Sequence, residues 1–355
     1  MRKLSGFVIY LLLAVSCRAV ADPCTEATAA LQRREFAQAE ALLKQCIAAH
    51  PDQLLPHIQL CSIYQSQGRE SDLQKAALEG MKKFPAEKRF YVTVGNRAGR
   101  DKRYQQAIEV FSEAVKRWPD DERMRHNLAS AHLGLGMQLM EANKYGEAEA
   151  QLRSATKLSP DDVEAHWNLG RALHNLLRSD EAVREFDTVI KLDAQLARAH
   201  FDRGVVLYQL RDFGRAIEDF NREIEINPSY PPSYLFRGLA RLDTADLDGA
   251  IQDLDMAVGR MPEVLRAHYA RARCLQRLGR PGEAETEFRT AMGLDPSDPA
   301  PVGALARLLM QTGRKEEAEQ LSQKAKELMT ERRSETDHEM RSGPPEKPDP
   351  DRQNP

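Results

Sequence analysis

An all-α fold of stacked helical hairpins is predicted by three periodic features of this 355-residue chain. Alanine recurs every 34 residues, at Ala148, Ala182, Ala216, Ala250, Ala284 and Ala318. A large apolar residue follows four places later (Phe186, Phe220, Leu254, Phe288). A glycine stands twelve places earlier (Gly170, Gly204, Gly238), and Ala272 and Ala306 continue that series. Proline closes three of the units, again 34 apart, at Pro228, Pro262 and Pro296. A fixed period in this range is the mark of stacked supersecondary units rather than of a globular core.

Each unit reads as helix, short turn, helix and proline stop, with two helices of about 12 residues filling the period. The small residues lie where two antiparallel helices approach closely, and the Phe or Leu fills space between neighbouring units. Proline ends the second helix because it lacks an N–H and disfavours helix in the residue before it. Run backward, the ruler meets Ala107 and Pro119 41 residues before Ala148 and Pro160, so one unit carries 7 extra residues. Two further helical turns absorb them in an extended first helix spanning Met124 to Met140. Earlier steps reach Leu73, which breaks the small-residue rule and implies a shifted register, and then Ala39. Nine units are expected, beginning near residues 24, 54, 88, 122, 163, 197, 231, 265 and 299, with 163–325 the most regular.

The segment His166-Trp167-Asn168-Leu169-Gly170, continued by Ala182 and Phe186, resembles the tetratricopeptide repeat (TPR) family in its aromatic, Leu-Gly, Ala and Phe landmarks. Only the closing proline is missing, replaced by Ala194. The resemblance covers most of the chain. It implies a right-handed superhelical solenoid whose concave face, built mainly from first helices, holds a protein segment.

Arg2 and Lys3 precede an apolar run from Leu4 to Cys17, and Ala19-Val20-Ala21 offers a small-residue cleavage site. Residues 1–21 are therefore expected to be a secretory signal peptide, the apolar run being shorter than the roughly 20 residues a membrane helix needs. The competing reading is a lipoprotein box ending at Cys17, which would anchor the chain to a membrane. The solenoid proper is expected over 22–333, closed by a charged capping helix from Lys315 to Arg333. A proline-rich tail, 334–355, is too poor in apolar residues to fold.

Export to the periplasm or the medium changes the meaning of the cysteines. Cys24 and Cys46 stand 11 residues either side of position 35, at opposite ends of the first hairpin, where antiparallel packing brings them level. A disulfide there would staple the terminal unit. The alternative is that Cys46 and Cys61 are compact core residues, the role expected of Cys274. Loss of Arg2, Lys3 and Arg18 with the leader takes the net charge from −3 to −6, which argues against a nucleic-acid partner.

No catalytic or cofactor constellation emerges. His166, His200 and His268 occupy one place in three units, with Tyr234 between, but equivalent residues are separated by a whole hairpin, about 10 Å. Metal ligands converge within about 2 Å of an ion. Paired acids such as Asp120-Asp121 and Asp161-Asp162 follow prolines and read as helix caps. No metal, cofactor or enzymatic activity is expected.

The candidate site is the inner groove. Trp167, Phe201, Leu235 and Tyr269 form a ladder with a 34-residue step, and the resemblance places them on the concave side. Arg171 and Arg273 lie one helical turn beyond their ladder residue, and Arg198 and Arg266 three residues before theirs, so all share a helix face. Aromatic patches flanked by guanidinium groups suit a peptide with apolar and acidic residues. A chaperone-type carboxylate clamp is broken, since Asp202 follows Arg198 where a donor is needed. Arg203, Arg237 and Arg271 are expected to pair with acids between units or to snorkel past the packed helices rather than to bind a ligand. The reading is a non-enzymatic scaffold for an unidentified protein or peptide in the cell envelope, the alternative being a regulatory or assembly subunit of an envelope enzyme complex.

Overall fold

The computed structural model describes residues 22–342, with side chains described to residue 334. Eighteen α-helices in nine pairs, and no strand, form among them. They fall into two compact units. The first reaches Leu135 and also takes residues 157–159; the second takes Gly136–Thr156 and the chain from Pro160 onward.

The first unit holds α1 (Pro23–Gln32), α2 (Phe36–Ala49), α3 (Leu54–Ser66), α4 (Glu70–Lys83), α5 (Lys88–Arg100), α6 (Tyr104–Arg117) and the start of α7 (Glu122–Glu141). The second holds the rest of α7, most of α8 (Tyr145–Leu158), α9 (Val163–Asn175), α10 (Ser179–Leu192), α11 (Ala199–Gln209) and α12 (Phe213–Ile226). It continues with α13 (Pro231–Asp243), α14 (Leu247–Arg260), α15 (Leu265–Arg277), α16 (Pro281–Leu294), α17 (Pro299–Gln311) and α18 (Lys315–Ser342).

Every hairpin turn is made the same way. One residue takes the left-handed conformation: Gly68, Gly279 and Gly313 in three turns, a non-glycine such as Leu177 (φ 60°) or Arg211 (φ 63°) in the other six. The chain then closes a bond spanning five residues, as from Arg178 N–H to Leu173 C=O at 2.9 Å, which satisfies carbonyls orphaned at the helix end. Asp121 and Asp162 cap the next first helices, accepting from the Met124 and Ala165 N–H groups at 3.2 and 3.0 Å.

Packing within a pair explains the periodic small residues. A Cβ at Gly170 would lie 2.9 Å from the Phe186 ring, and one at Gly204 2.7 Å from Phe220. The alanines from Ala148 to Ala318 are all 0 % exposed. Where the second repeat puts Cys61 in the glycine place, the facing place holds buried Ala77 instead of Phe, so the volumes trade. Helix α7 has 20 residues against 13 in α9, and Gly136 still faces Leu152. The inserted residues therefore lie on its N-terminal side.

Two boundaries differ from the sequence reading. Helix α18 runs past Arg333 to Ser342, because nothing from 334 onward breaks a helix until Gly343-Pro344. Helix α11 begins at Ala199 rather than 197 and has 11 residues. The leader, Cys17 and residues 343–355 lie outside the described residues, and among those described no helix is long and apolar enough to cross a membrane.

Ion pairs tie the repeats on their second-helix side. Arg203 forks onto Asp219 of its own pair (2.8 and 2.6 Å) and reaches back to Asp187 of the preceding one at 2.6 Å. Arg237 does the same with Asp253 and Asn221, and Arg271 gives one bond to Glu287 of its own pair and one to Asp255 of the preceding pair. In the first unit Glu40 accepts from Arg69, Lys44 and Tyr64. Led by the Arg69 bond, these hold its carboxyl down at about 2 from an ordinary 4.5. A depressed acid stabilises the fold above its unfolded pKa and loses that contribution as pH falls through its folded one. In acid titrations followed by amide exchange of α2 and α3, wild type is expected to exceed Glu40→Gln at neutral pH, the gap closing between pH 4.5 and about 2. A gap that persists at pH 2 would refute the assignment.

Candidate partner-binding face

In the second unit α9, α11, α13 and α15 pack side by side and share one face. Their contacts do not follow the 34-residue step. Equivalent residues on parallel neighbours point the same way, so a touching pair must come from opposite flanks, one residue further on or one turn back. Trp167 Nε1 donates to Asp202, 35 residues on, at 2.7 Å. Tyr208 donates to Asp243 and Gln276 to Gln311 at the same separation, at 2.8 and 3.0 Å. Arg198, 31 residues after Trp167, sets its guanidinium 5.9 Å from that ring.

This register corrects half of the aromatic ladder. Phe201 is 8 % exposed and Leu235 4 %, so both belong to the core. Phe201 is covered by Tyr230 at 5.1 Å and Phe236 at 5.5 Å. The residue that covers Trp167 in the same relation is the short Asp202, and its ring stays partly open. Tyr269, resting on Phe288 at 5.9 Å, is likewise half-buried. Phe236, Tyr208 and Tyr230 are the aromatic surfaces that the 34-residue ruler overlooks; the 35-residue step from Phe201 reaches Phe236, while Tyr208 and Tyr230 lie on neither the 31- nor the 35-residue step from Trp167 or Phe201.

The cations stay on the face. Arg171 lies 5.2 Å over Trp167, Arg198 5.5 Å over Tyr230, and Arg266 4.6 Å over Phe236, each a cation–π contact. Among the described residues none of Arg171, Arg198, Arg266 and Arg273 has a carboxylate within ion-pair distance, whereas Arg203, Arg237 and Arg271 do. The two acids on the face are engaged by Trp167 and Tyr208. Burial pushes the Asp202 carboxyl up, against the Trp167 bond and the charges of Arg198 and Arg171. Burial likewise pushes the Tyr208 hydroxyl up to about 12, helped by Asp243.

A different chemistry lines the first unit. A cavity of about 560 Å³ opens among α3, α5, α6 and α7, walled by Gln65, Asn96, Asn127, Tyr104 and Phe111. Its three carboxamides are 31 residues apart, and the Asn127 amide nitrogen is buried without a partner. A neighbouring pocket of about 330 Å³ shares Gln65 and adds Arg89, Arg123 and the Lys88–Asp121 pair. The sequence reading placed no site here, because these residues share no 34-residue column.

The remaining candidates are structural. Cys24 and Cys46 form a disulfide between α1 and α2. Burial pushes the Cys61 thiol up to about 11, and Cys274 is fully buried. Asp22, Cys24 and His50 gather closely enough to hold an ion, but the sulfur is committed to the disulfide. His166 bonds Glu185 at 2.7 Å and the Pro160 carbonyl at 2.9 Å, and His268 bonds Glu287 and the Pro262 carbonyl.

Sequence profiles described as TPR or tetratricopeptide repeat match residues 136–176, 275–330, and 95–136, 175–231 and 237–299. The chain belongs to the tetratricopeptide repeat family. Among solved structures, this TPR protein is similar to MamA (41-end) from Desulfovibrio magneticus RS-1, at 24 % identity over 48 % of this chain and 96 % of that one, TM-score 0.45. It is similar to PilW, a type IV pilus biogenesis factor, at 18 % identity over 55 % and 90 %, TM-score 0.50. A third likeness is to YrrB, titled a TPR protein with an unusual peptide-binding site, at 19 % identity over 56 % and 98 %, TM-score 0.47. No curated protein sequence matches. The TPR fold is typically a non-catalytic interaction module, and its repeats support a protein-interaction scaffold here.

Proposed function

We propose that the shared face of α9, α11, α13 and α15 holds an acidic segment of a partner protein that also carries apolar side chains. The observation that carries this reading is the contrast among arginines. Those facing the second helices are paired with internal carboxylates, while Arg171, Arg198 and Arg266 lie over aromatic rings and, like Arg273, have no carboxylate within ion-pair distance among the described residues. Guanidinium groups so placed bind carboxylates, and the rings between them supply apolar area.

The scaffold works outside the cytosol in this reading, in the cell envelope. Its support is the leader-like sequence of residues 1–21 and the Cys24–Cys46 disulfide, a bond that persists in oxidising compartments. A regulatory or assembly role beside an envelope enzyme uses the same face with a different partner. Capture from envelope extract tests the face: Trp167→Ala and Arg171→Glu are each expected to lower recovery of the partner at least about tenfold, the weight of one lost anchor. Equal recovery by wild type and both variants would sink the reading.

A further inference from the structure

The junction between α10 and α11 departs from its counterparts at two positions that touch. Elsewhere a proline closes the second helix, and its carbonyl accepts a bond from the next first helix, as with His166 on Pro160, Tyr234 on Pro228 and His268 on Pro262. Here Ala194 replaces the proline. His200 Nε2, which would use that carbonyl, is buried without a partner. Arg198 takes φ 76°, the one left-handed residue among those described that lies outside a hairpin turn.

The second departure is in α12. The buried place held by Val189, Ala257, Ala291 and Ala325 in other repeats is Glu223, 0 % exposed. Its carboxylate accepts from the Arg198 N–H at 2.9 and 2.8 Å and from the Phe201 N–H. A left-handed arginine and a buried carboxylate are each unfavourable alone. Together they form an N-terminal cap for α11, supplied by the second helix of the same repeat, where a negative charge meets the positive end of the helix. The backbone so held places the Arg198 guanidinium between the Trp167 and Tyr230 rings, at 5.9 and 5.5 Å.

We infer that Glu223 is a positioning residue for the binding face. It fixes Arg198 in the left-handed conformation that pre-forms a guanidinium–aromatic subsite for one carboxylate side chain of the bound segment. This deepens the function proposed above and rests on it for the ligand, though not for the geometry. A preorganised arginine loses less freedom on binding than a free one, so the subsite favours Glu or Asp over their amides.

Glu223→Ala installs the residue that other repeats carry, so folding is expected to survive, and Glu223→Gln, which keeps one acceptor oxygen, serves as the conservative control. The chain has two tryptophans, so a Trp118→Phe background isolates Trp167. Without ligand, Glu223→Ala is expected to raise acrylamide quenching of Trp167 about twofold at unchanged helix content, with Glu223→Gln intermediate. Binding is read by anisotropy with a labelled 12-residue peptide repeating Glu-Glu-Leu-Phe and its Gln-Gln-Leu-Phe counterpart. Glu223→Ala and Arg198→Ala should each reduce the preference for the acidic peptide about tenfold, the double variant losing no more than either. Unchanged quenching, or additive losses, would overturn the positioning role. If wild type binds neither peptide while quenching still responds to Glu223→Ala, the acidic-segment reading fails and the positioning of Arg198 stands.

Discussion

Asp253→Ala is expected to destabilise the repeats around α13 and α14 by about 3–5 kcal/mol, the scale for removing one partner of a buried ion pair. Asp253 is 3 % exposed and accepts from Arg237 at 2.9 and 2.6 Å and from Arg241 at 2.8 Å. The Arg237 side chain is 15 % exposed. Without Asp253 it keeps the Asn221 side-chain oxygen at 2.7 Å and the Tyr234 ring at 5.7 Å but no carboxylate, and stays out of water as an uncompensated charge. Removing Arg237 as well should recover part of the loss, since the stranded charge goes with it. Because repeats contact only their neighbours, unfolding need not be a single step. The proper measurement is amide exchange of α13 and α14 in wild type, single and double variants. A loss below about 1 kcal/mol would place the pair with exposed surface bridges and end its role as a tie between α13 and α14.

Repeat spacing made the scaffold legible and the face less so. Close packing within a pair repeats identically: Gly170 against Phe186 and Gly204 against Phe220 are the same contact 34 residues apart. First helices accordingly start at Leu54, Lys88, Glu122, Val163, Pro231, Leu265 and Pro299, where the ruler puts them. Contacts across the face join different repeats at different places, so a column of equivalent residues describes neither who touches whom nor who stays exposed. Phe201 and Leu235 were misplaced for that reason; Arg171, Arg198 and Arg266 are exposed and Arg273 partly so, their long side chains carrying charge toward the surface. The missing proline at Ala194 was visible in the sequence; its consequence was not. That consequence depends on Glu223, 29 residues away, which reads as an ordinary charged helix residue until its burial is known.

Cys24→Ser is expected to cost the first helical pair about 3 kcal/mol, the chain-entropy value for a loop of its size, with 22 residues separating the two cysteines. The pair depends on that bond more than an inner pair would. Helix α1 has 10 residues, and the buried residues it contributes are Ala27 and Ala30, so it brings little apolar area. The first pair also has a neighbouring repeat on one side alone among the described residues, α2 packing against α3. In Cys24→Ser, amide protection of α1 should collapse while that of α5 and α6 is retained, and reductant should reproduce the effect in wild type. Thiol counts in denatured protein must rise by two on reduction; equal counts with and without reductant would dispose of the bridge. The same experiment bears on where the protein works. If the terminal pair needs its disulfide, chain lacking residues 1–21 and made in a reducing cytosol should be cleaved by protease within α1, and chain routed to an oxidising compartment should resist.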